Sequence, residues 1–251
     1  SKNDRVLDSG CGEGIFIESL LKKRFNNLKG YDIDERNCRI VKNKFGDKVD
    51  IECKDYLKTS KEEKFDLVIG NPPYVHWNNI QEDIRNKLYI DDFWKQYSNG
   101  EWDLLYAFII WSVEKLEYNG ELIYIVPYNW FNSTHASSLR KYLIDNGQFE
   151  IICHFGEFKL FKDCYPNNII FRYKKMKNQE KTLIFVSEFK SRKGIIKDIL
   201  NYIREEFDII DHKEYEKEDE NFKIFTMLNF ETENLWHLAT PKEEYFIKKI
   251  E

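Results

Sequence analysis

From residue 5 to residue 144, short apolar β-rich runs alternate with stretches of helical periodicity. Residues 5–7 read as a strand, with Val6 and Leu7 leading into a glycine-rich turn. Residues 15–25 then carry Phe16, Leu20, Leu21 and Phe25 at helical spacing. Residues 28–33 read as a second strand and 35–45 as a second helix, with further strands expected over 49–53 and 65–69. Residues 104–116 read as a helix with an apolar face. Residues 122–126 form an unbroken apolar run, as a buried parallel strand does. A helix follows over 133–144, with Ser133 or Thr134 as its N-cap. This alternation predicts right-handed crossovers and a mostly parallel α/β sheet covered on both faces. Three strand-like runs, 150–155, 168–173 and 182–186, then follow without helices between them. They predict an antiparallel pair closing one edge of the sheet.

Beyond Lys190 the pattern weakens. Residues 195–207 look helical, 211–221 are a charge run expected to be a solvated loop, and 222–227 read as a strand. A helix begins at Pro241. The chain thus divides into an α/β domain over 1–190 and an extension or linker over 191–251. It opens at Ser1 without Met, a few residues before its most informative motif, and so reads as a fragment of a longer protein.

Lys and Arg total 39 against 44 Asp and Glu, a net charge of -5. Such a chain is not a simple nucleic-acid coat, so any polyanion must meet a local basic surface or another region. The five cysteines include no C-x-x-C pair, and their number is odd. Reduced thiols and a cytoplasmic location are expected, with no zinc site. The histidines show no H-E-x-x-H pattern, so no metal is expected. Apolar stretches such as 107–111 and 122–126 are far too short to span a bilayer, and no signal-peptide pattern is present.

Residues 8–14 read Asp8-Ser9-Gly10-Cys11-Gly12-Glu13-Gly14, between a strand and a helix. Glycines there let the backbone turn tightly and approach a ligand, at the strand end where open α/β sheets bind ligands. The dinucleotide fingerprint is not met, because Ile15 stands where its last Gly belongs. Asp8, a carboxylate at the strand end, repels pyrophosphate but suits a cationic amino group. Asp32 ends the second strand at the spacing of a ribose-binding acid. Asp55 follows the third strand and suits an adenine amino group, and Ile33 suits the adenine face. A nucleoside with a positively charged amino-acid tail fits these residues, and S-adenosylmethionine fits better than NAD or ATP. The competing reading is a tight turn that holds no ligand.

A buried strand runs straight into Asn71-Pro72-Pro73-Tyr74. Each proline fixes its own φ and restricts the residue before it, so the segment is stiff and extended. The Asn71 side-chain oxygen and the Pro72 carbonyl can accept both hydrogens of a planar amino group, while Tyr74 stacks on the attached ring. Accepting both hydrogens localises the nitrogen lone pair and readies it to attack a sulfonium methyl. The leaving group is a neutral thioether, so positioning and preorganised dipoles suffice. The competing reading is a rigid loop whose tyrosine simply packs.

With a glycine-rich cofactor turn preceding Asn-Pro-Pro-Tyr, the chain resembles class I S-adenosylmethionine-dependent methyltransferases. More closely, it resembles the gamma group of adenine-specific DNA methyltransferases, the TaqI-like and type IIG restriction–modification enzymes. The resemblance covers roughly residues 5–190. It implies a Rossmann-like, seven-stranded, mostly parallel sheet with one antiparallel edge strand, and a methyltransferase catalytic domain over 1–190. It implies that Asp8, with Gly10, Gly12 and Gly14, meets the methionine end of the cofactor, Asp32 the ribose, and Ile33 and Asp55 the adenine. Asn71, Pro72 and Tyr74 become the catalytic pocket. Residues 102–108 resemble the family's fifth motif, which places Phe108 beside the cofactor. Residues 156–161 resemble the segment that stacks on the far face of the target base, through Phe161 or its rival Phe158. For Phe108 and Phe161, ordinary core packing is the alternative. The implied partner is duplex DNA with its target adenine flipped out. The family's helix-borne cofactor segment and its target-recognition domain find no counterpart in the sequence, and restriction or specificity functions are expected elsewhere in the parent chain. Residues 75–101, rich in Trp, Tyr and Asn, are read as a cover for the pocket, a contact for the displaced strand, or a plain surface excursion.

The leading expectation is therefore methyl transfer to the exocyclic amino group of adenine in DNA. The alternatives are a protein-glutamine methyltransferase, an RNA methyltransferase, or a non-catalytic DNA-binding module that retains the fold.

Overall fold

A computed structural model describes residues 1–80, 82–97, 103–157, 167–176, 183–190 and 215–250. Its first half alternates as expected: β1 (Val6–Asp8), α1 (Ile15–Lys22), β2 (Leu28–Asp32), α2 (Glu35–Phe45), β3 (Asp50–Cys53) and β4 (Phe65–Gly70). Then come α3 (Glu82–Ile90), α4 (Asp92–Lys95), α5 (Leu104–Glu114), β5 (Leu116–Pro127), α6 (Ser137–Asn146), β6 (Gly147–His154), β7 (Asn168–Lys175) and β8 (Leu183–Phe189). The described chain ends with β9 (Glu216–Glu218), β10 (Phe222–Leu228) and α7 (Pro241–Ile250).

Among the described residues these strands form one sheet in the order β3-β2-β1-β4-β5-β7-β6-β8-β10-β9. β1 pairs parallel with both β2 and β4, so chain direction across the sheet reverses there. That switch point is where open α/β sheets leave a crevice at their carboxyl ends. Alternation along β1 serves two cores: Val6 packs with Ile17, Leu20 and Val41 beneath α1 and α2, while Leu7 joins the larger cluster on the opposite face.

Local chemistry sets the first helices. Gly14 begins α1 at φ 81°, in the left-handed region, and a Cβ there would lie 2.8 Å from the Phe45 ring. Asp34 caps α2, its carboxylate accepting from the Arg36 amide at 2.8 Å. α5 departs from the expected half-apolar face, because every residue from Leu105 to Val113 is buried. The excursion after β4 covers its second side: Phe93 and Trp94 pack on Trp111, with ring centroids 5.5 and 5.7 Å away. α3 and α4 thus supply a helical cover that shares a core with α5.

The antiparallel strand is a correction. β7 does not close an edge; it lies between β5 and β6, antiparallel to both. Ile169, Phe171 and Tyr173 are wholly buried, as an interior strand requires. On its other face Arg172 reaches Glu121 of β5 at 2.6 Å and Glu150 of β6 at 2.9 Å, so acids from both neighbours hold one cation. The sheet then continues past seven strands. β8 adds parallel to β6, and β10 adds antiparallel to β8. Part of the expected solvated charge run, Glu216–Glu218, is the exposed edge strand β9, paired with β10. Neither Ser133 nor Thr134 caps α6. Ser133 precedes a 3-10 turn without a side-chain cap bond, and Ala136 stands at the start of α6. Residues 195–207 lie outside the described residues.

Candidate active site

The carboxyl ends of β1, β2 and β4 meet at the glycine-rich turn. The Ser9 amide donates to the Ile69 carbonyl at 3.2 Å and the Cys11 amide to the Tyr31 carbonyl at 2.9 Å, so the turn is stitched to both neighbouring strands. The Gly12 amide donates to Asp32 Oδ2 at 2.8 Å, while Asp32 Oδ1 accepts from the Asp34 amide at 2.8 Å. Asp32 therefore holds the turn as well as facing the crevice. At the end of β4 a Cβ on Gly70 would lie 3.0 Å from Ser9 Oγ, 3.3 Å from the Tyr124 ring and 3.6 Å from Asp8 Oδ1. The close approach of these strand ends brings Asn71 beside the turn.

A cavity of about 360 Å³ opens there. Gly10, Asp32, Ile33, Asp55, Asn71 and Phe108 all line it, six of the residues singled out from sequence. Ile33 is 72% exposed at its mouth, and Phe108 is buried in its wall against Tyr56, with ring centroids 5.3 Å apart. Ile84 of α3 also lines it, so the cover on α5 shapes the cavity. Gly12, Pro72 and Tyr74 flank it without lining it, and Gly14 faces α2 instead. Asp55 differs from expectation in its bonding. Its Oδ1 caps the turn by accepting from the Leu57 amide at 3.1 Å, and its Oδ2 lies 3.0 Å from Lys58 Nζ. Phe158 and Phe161 lie outside the described residues. A second cavity of about 690 Å³ adjoins across Asp55, Leu57 and Ile84, walled by Trp94 and Trp111, away from Asn71.

Asp8 sits just under the Ser9–Gly10 lining. It is 1% exposed, and neither carboxylate oxygen has a hydrogen-bond partner of normal geometry. Burial pushes its carboxyl up to about 7; the nearby Gly10 amide opposes that, and the Asp32 charge adds to it. A buried, unpartnered carboxylate is costly unless a cation or donor arrives. The cofactor implied by the sequence fits this donor set: Asp8 suits its ammonium group, Asp32 its ribose, Ile33 and Phe108 its purine.

At the other wall, the Tyr74 hydroxyl reaches two acceptors, Asn71 Oδ1 and the Ile125 carbonyl, the latter at 2.7 Å. The Tyr74 ring is 39% exposed. Asn71 Oδ1 has two lone pairs, so it can accept from Tyr74 and from one further donor.

Sequence reasoning missed the supports beneath the site. Ser9 Oγ, Tyr124 OH and Ser112 Oγ follow one another at 2.5 Å each, and Ser112 continues to Tyr56 OH at 2.9 Å. This buried chain of hydroxyls joins the glycine turn to the wall holding Phe108. Its signal was Tyr124 inside an otherwise apolar strand, since a buried phenol needs a partner. Among the described residues no three His, Cys, Asp or Glu side chains converge as a metal site requires. None of the described helices is long and apolar enough to cross a membrane.

Comparison with known proteins decides the family. A family model described as Eco57I restriction-modification methylase matches residues 18–161. The chain belongs to this family. The Eco57I-family chain is 36% identical over 191 residues to the type II methyltransferase M.HincII of Haemophilus influenzae, which covers 76% of this chain and 36% of that protein. It is 31% identical over 147 residues to the type II methyltransferase M.AccI of Acinetobacter calcoaceticus, covering 55% of this chain and 26% of that one. The chain thus spans well under half the length of these relatives. Among solved structures, its fold matches a putative class I S-adenosylmethionine-dependent methyltransferase from Listeria monocytogenes with TM-score 0.64 at 19% identity, over 81% of this chain and 64% of that one. It matches the type IIG restriction endonuclease BpuSI with TM-score 0.69 at 15% identity, over 91% of this chain and 28% of that one. The fold is that of class I S-adenosylmethionine-dependent methyltransferases.

Proposed function

We propose that the protein transfers a methyl group from S-adenosylmethionine to the exocyclic amino nitrogen of adenine in duplex DNA, as the modification activity of a restriction–modification enzyme. One observation carries the reading: Asn71, at the head of a proline-stiffened segment, shares one cavity with Gly10 of the glycine-rich turn and Asp32 at the end of β2. Family membership and the type II methyltransferase relatives point to DNA as the substrate. Adenine must leave the helix to reach such a cavity. The cofactor supplies an electrophilic methyl on a sulfonium when bound.

The protein's own residues do the rest. Asp8, Gly10 and Gly12 orient the amino-acid end, and Asp32, Ile33 and Phe108 seat the nucleoside, with Asp55 at the adenine edge. Asn71 Oδ1 and the Pro72 carbonyl accept the two amino hydrogens, which localises the nitrogen lone pair toward the incoming methyl. Tyr74 stacks on the purine, and Phe161 or Phe158 is assigned to its far face. The prolines keep the two acceptors aimed before substrate arrives, so little reorganisation accompanies reaction. Residues 1–190 form the catalytic unit in this reading.

The test is transfer of labelled methyl into adenine-containing duplex DNA. Label appearing only in protein or RNA refutes the DNA assignment. Asn71→Ala should cut transfer by about 10²–10³ or more, the cost of losing one preorganised dipole, with cofactor affinity nearly unchanged. Collapse of cofactor affinity instead would overturn the division of roles.

A further inference from the structure

The buried carboxyl of Asp8 is unusual among the charges of this protein. Both oxygens are sealed from solvent and have no hydrogen-bond partner of normal geometry; the nearby Gly10 amide is the single donor that favours the charged form. No lysine or arginine among the described residues pairs with it. The titratable groups that face it add no positive charge. The glycine turn brings the Cys11 thiol, β2 brings the Asp32 carboxylate and β5 brings the Tyr124 phenol, whose hydroxyl is already committed to Ser9 and Ser112. β4 offers only Gly70 at closest approach. A charged carboxylate in such surroundings lacks the compensation that buried charges need.

We propose that Asp8 is a neutral carboxylic acid in the ligand-free protein, and that the ammonium group of the cofactor displaces its proton on binding. The inference rests on the cofactor reading above and adds to it a proton exchanged with solvent. The carboxylic O–H bond breaks, the proton passes to bulk buffer, and the ammonium, directly or through one water, becomes the counter-charge. Ligand-free Asp8 titrates near neutrality for the reason already given, its burial. The exchange therefore makes cofactor capture proton-coupled below about pH 7, and the product, which keeps the same ammonium, is held by the same coupling. The buried anion is thus created only when its partner is present.

Isothermal titration calorimetry with S-adenosylhomocysteine tests this, in two buffers of very different ionisation enthalpy. Near pH 6 the binding enthalpy should differ between buffers by the heat of about one proton released per ligand, and the difference should shrink toward zero above about pH 8. Affinity should rise roughly tenfold per pH unit up to about pH 7 and then flatten. 5′-Methylthioadenosine has the same nucleoside and a thioether but no ammonium group. Its binding should show neither effect. Asp8→Asn should weaken S-adenosylhomocysteine binding and abolish the buffer dependence. A buffer-independent enthalpy near pH 6 for the parent protein overturns the inference while leaving the cofactor reading intact. The same proton release with methylthioadenosine, or in Asp8→Asn, assigns the proton to another group and also overturns it. Failure of both ligands to bind sinks the cofactor reading itself.

Discussion

Asp8 and Arg140 are each 1% exposed, and the protein treats the two buried charges in opposite ways. Arg140 lies where α6 meets the segment after β10. Its Nε donates to the Glu233 carbonyl at 2.9 Å, and its Nη1 donates to the Trp130 and Ser133 carbonyls at 2.8 and 2.7 Å. Its guanidinium stands over the Trp236 ring, and Trp236 stacks on Phe230 with centroids 4.2 Å apart. That cation is supplied with acceptors by the fold. Asp8 has none. One region uses a buried charge to fasten the C-terminal segment to the core; the other keeps a carboxyl without a counter-charge beneath the floor of a crevice. The contrast separates a structural ion from one that waits for a ligand.

Removing the fastened charge should have the largest effect. Arg140→Met leaves one buried and two part-buried carbonyls without this donor and should cost about 3–5 kcal/mol, read from urea unfolding. Cofactor affinity of the molecules that remain folded should not change. A loss below 1 kcal/mol would mean that water replaces the guanidinium freely, and the comparison would break.

Asp8→Asn should act with the opposite sign on stability. Between about pH 4 and pH 7 the unfolded chain ionises Asp8 while the folded one keeps its proton, so the parent loses stability across that window and levels off above it. The amide escapes this loss. The ligand-free variant should therefore be more stable than the parent at pH 8, by on the order of 2–4 kcal/mol, and show no such gain near pH 4. Thermal melts at the two pH values check it; a destabilised variant at pH 8 would mean that Asp8 is satisfied after all. A site residue whose removal stabilises the fold is the expected trade between stability and function.

Tyr124→Phe should come next. It interrupts the hydroxyl chain between Ser9 and Ser112, stranding Ser9 Oγ beside the turn, at about 1–2 kcal/mol. Because the chain supports both ends of the cavity, affinity for S-adenosylhomocysteine should fall in parallel, which a purely core role would not produce. Ile33→Ser should have the smallest effect on folding, within about 0.5 kcal/mol, since Ile33 is largely exposed. Its adenosyl ligand should still bind several-fold more weakly, because roughly 1 kcal/mol of apolar contact is lost. Unchanged binding would remove Ile33 from the adenine face.

Much of this site is legible in the sequence. The turn from Asp8 to Gly14, the acid at Asp32 and the stiff Asn71–Tyr74 segment are local signals, set by φ restrictions and by charge at strand ends. The bonding of Asp55 was not legible. A carboxylate after a strand is equally suited to a ligand or to its own turn, and here it caps the turn and meets Lys58. Tyr124, Ser112 and Tyr56 escaped notice because their partners lie far away in sequence. β7 was misplaced for a related reason: strand-like runs without helices between them read as an antiparallel pair at an edge, and only the pairing with β5 and β6 shows that β7 is interior.

By itself, the sequence determined the strand–helix alternation from β1 to β4, which turn carries the glycines and which residues supply acceptors at strand ends. Those features depend on steric limits and side-chain chemistry within a few residues. Only the tertiary structure decided that β1 lies beside β4, that Gly70 leaves room for Ser9 and Asp8, and that Asn71 therefore faces the turn. Strand neighbours are chosen by backbone hydrogen bonds, which every residue offers alike, and by packing between distant side chains. Neither leaves a mark that can be read in one stretch of sequence.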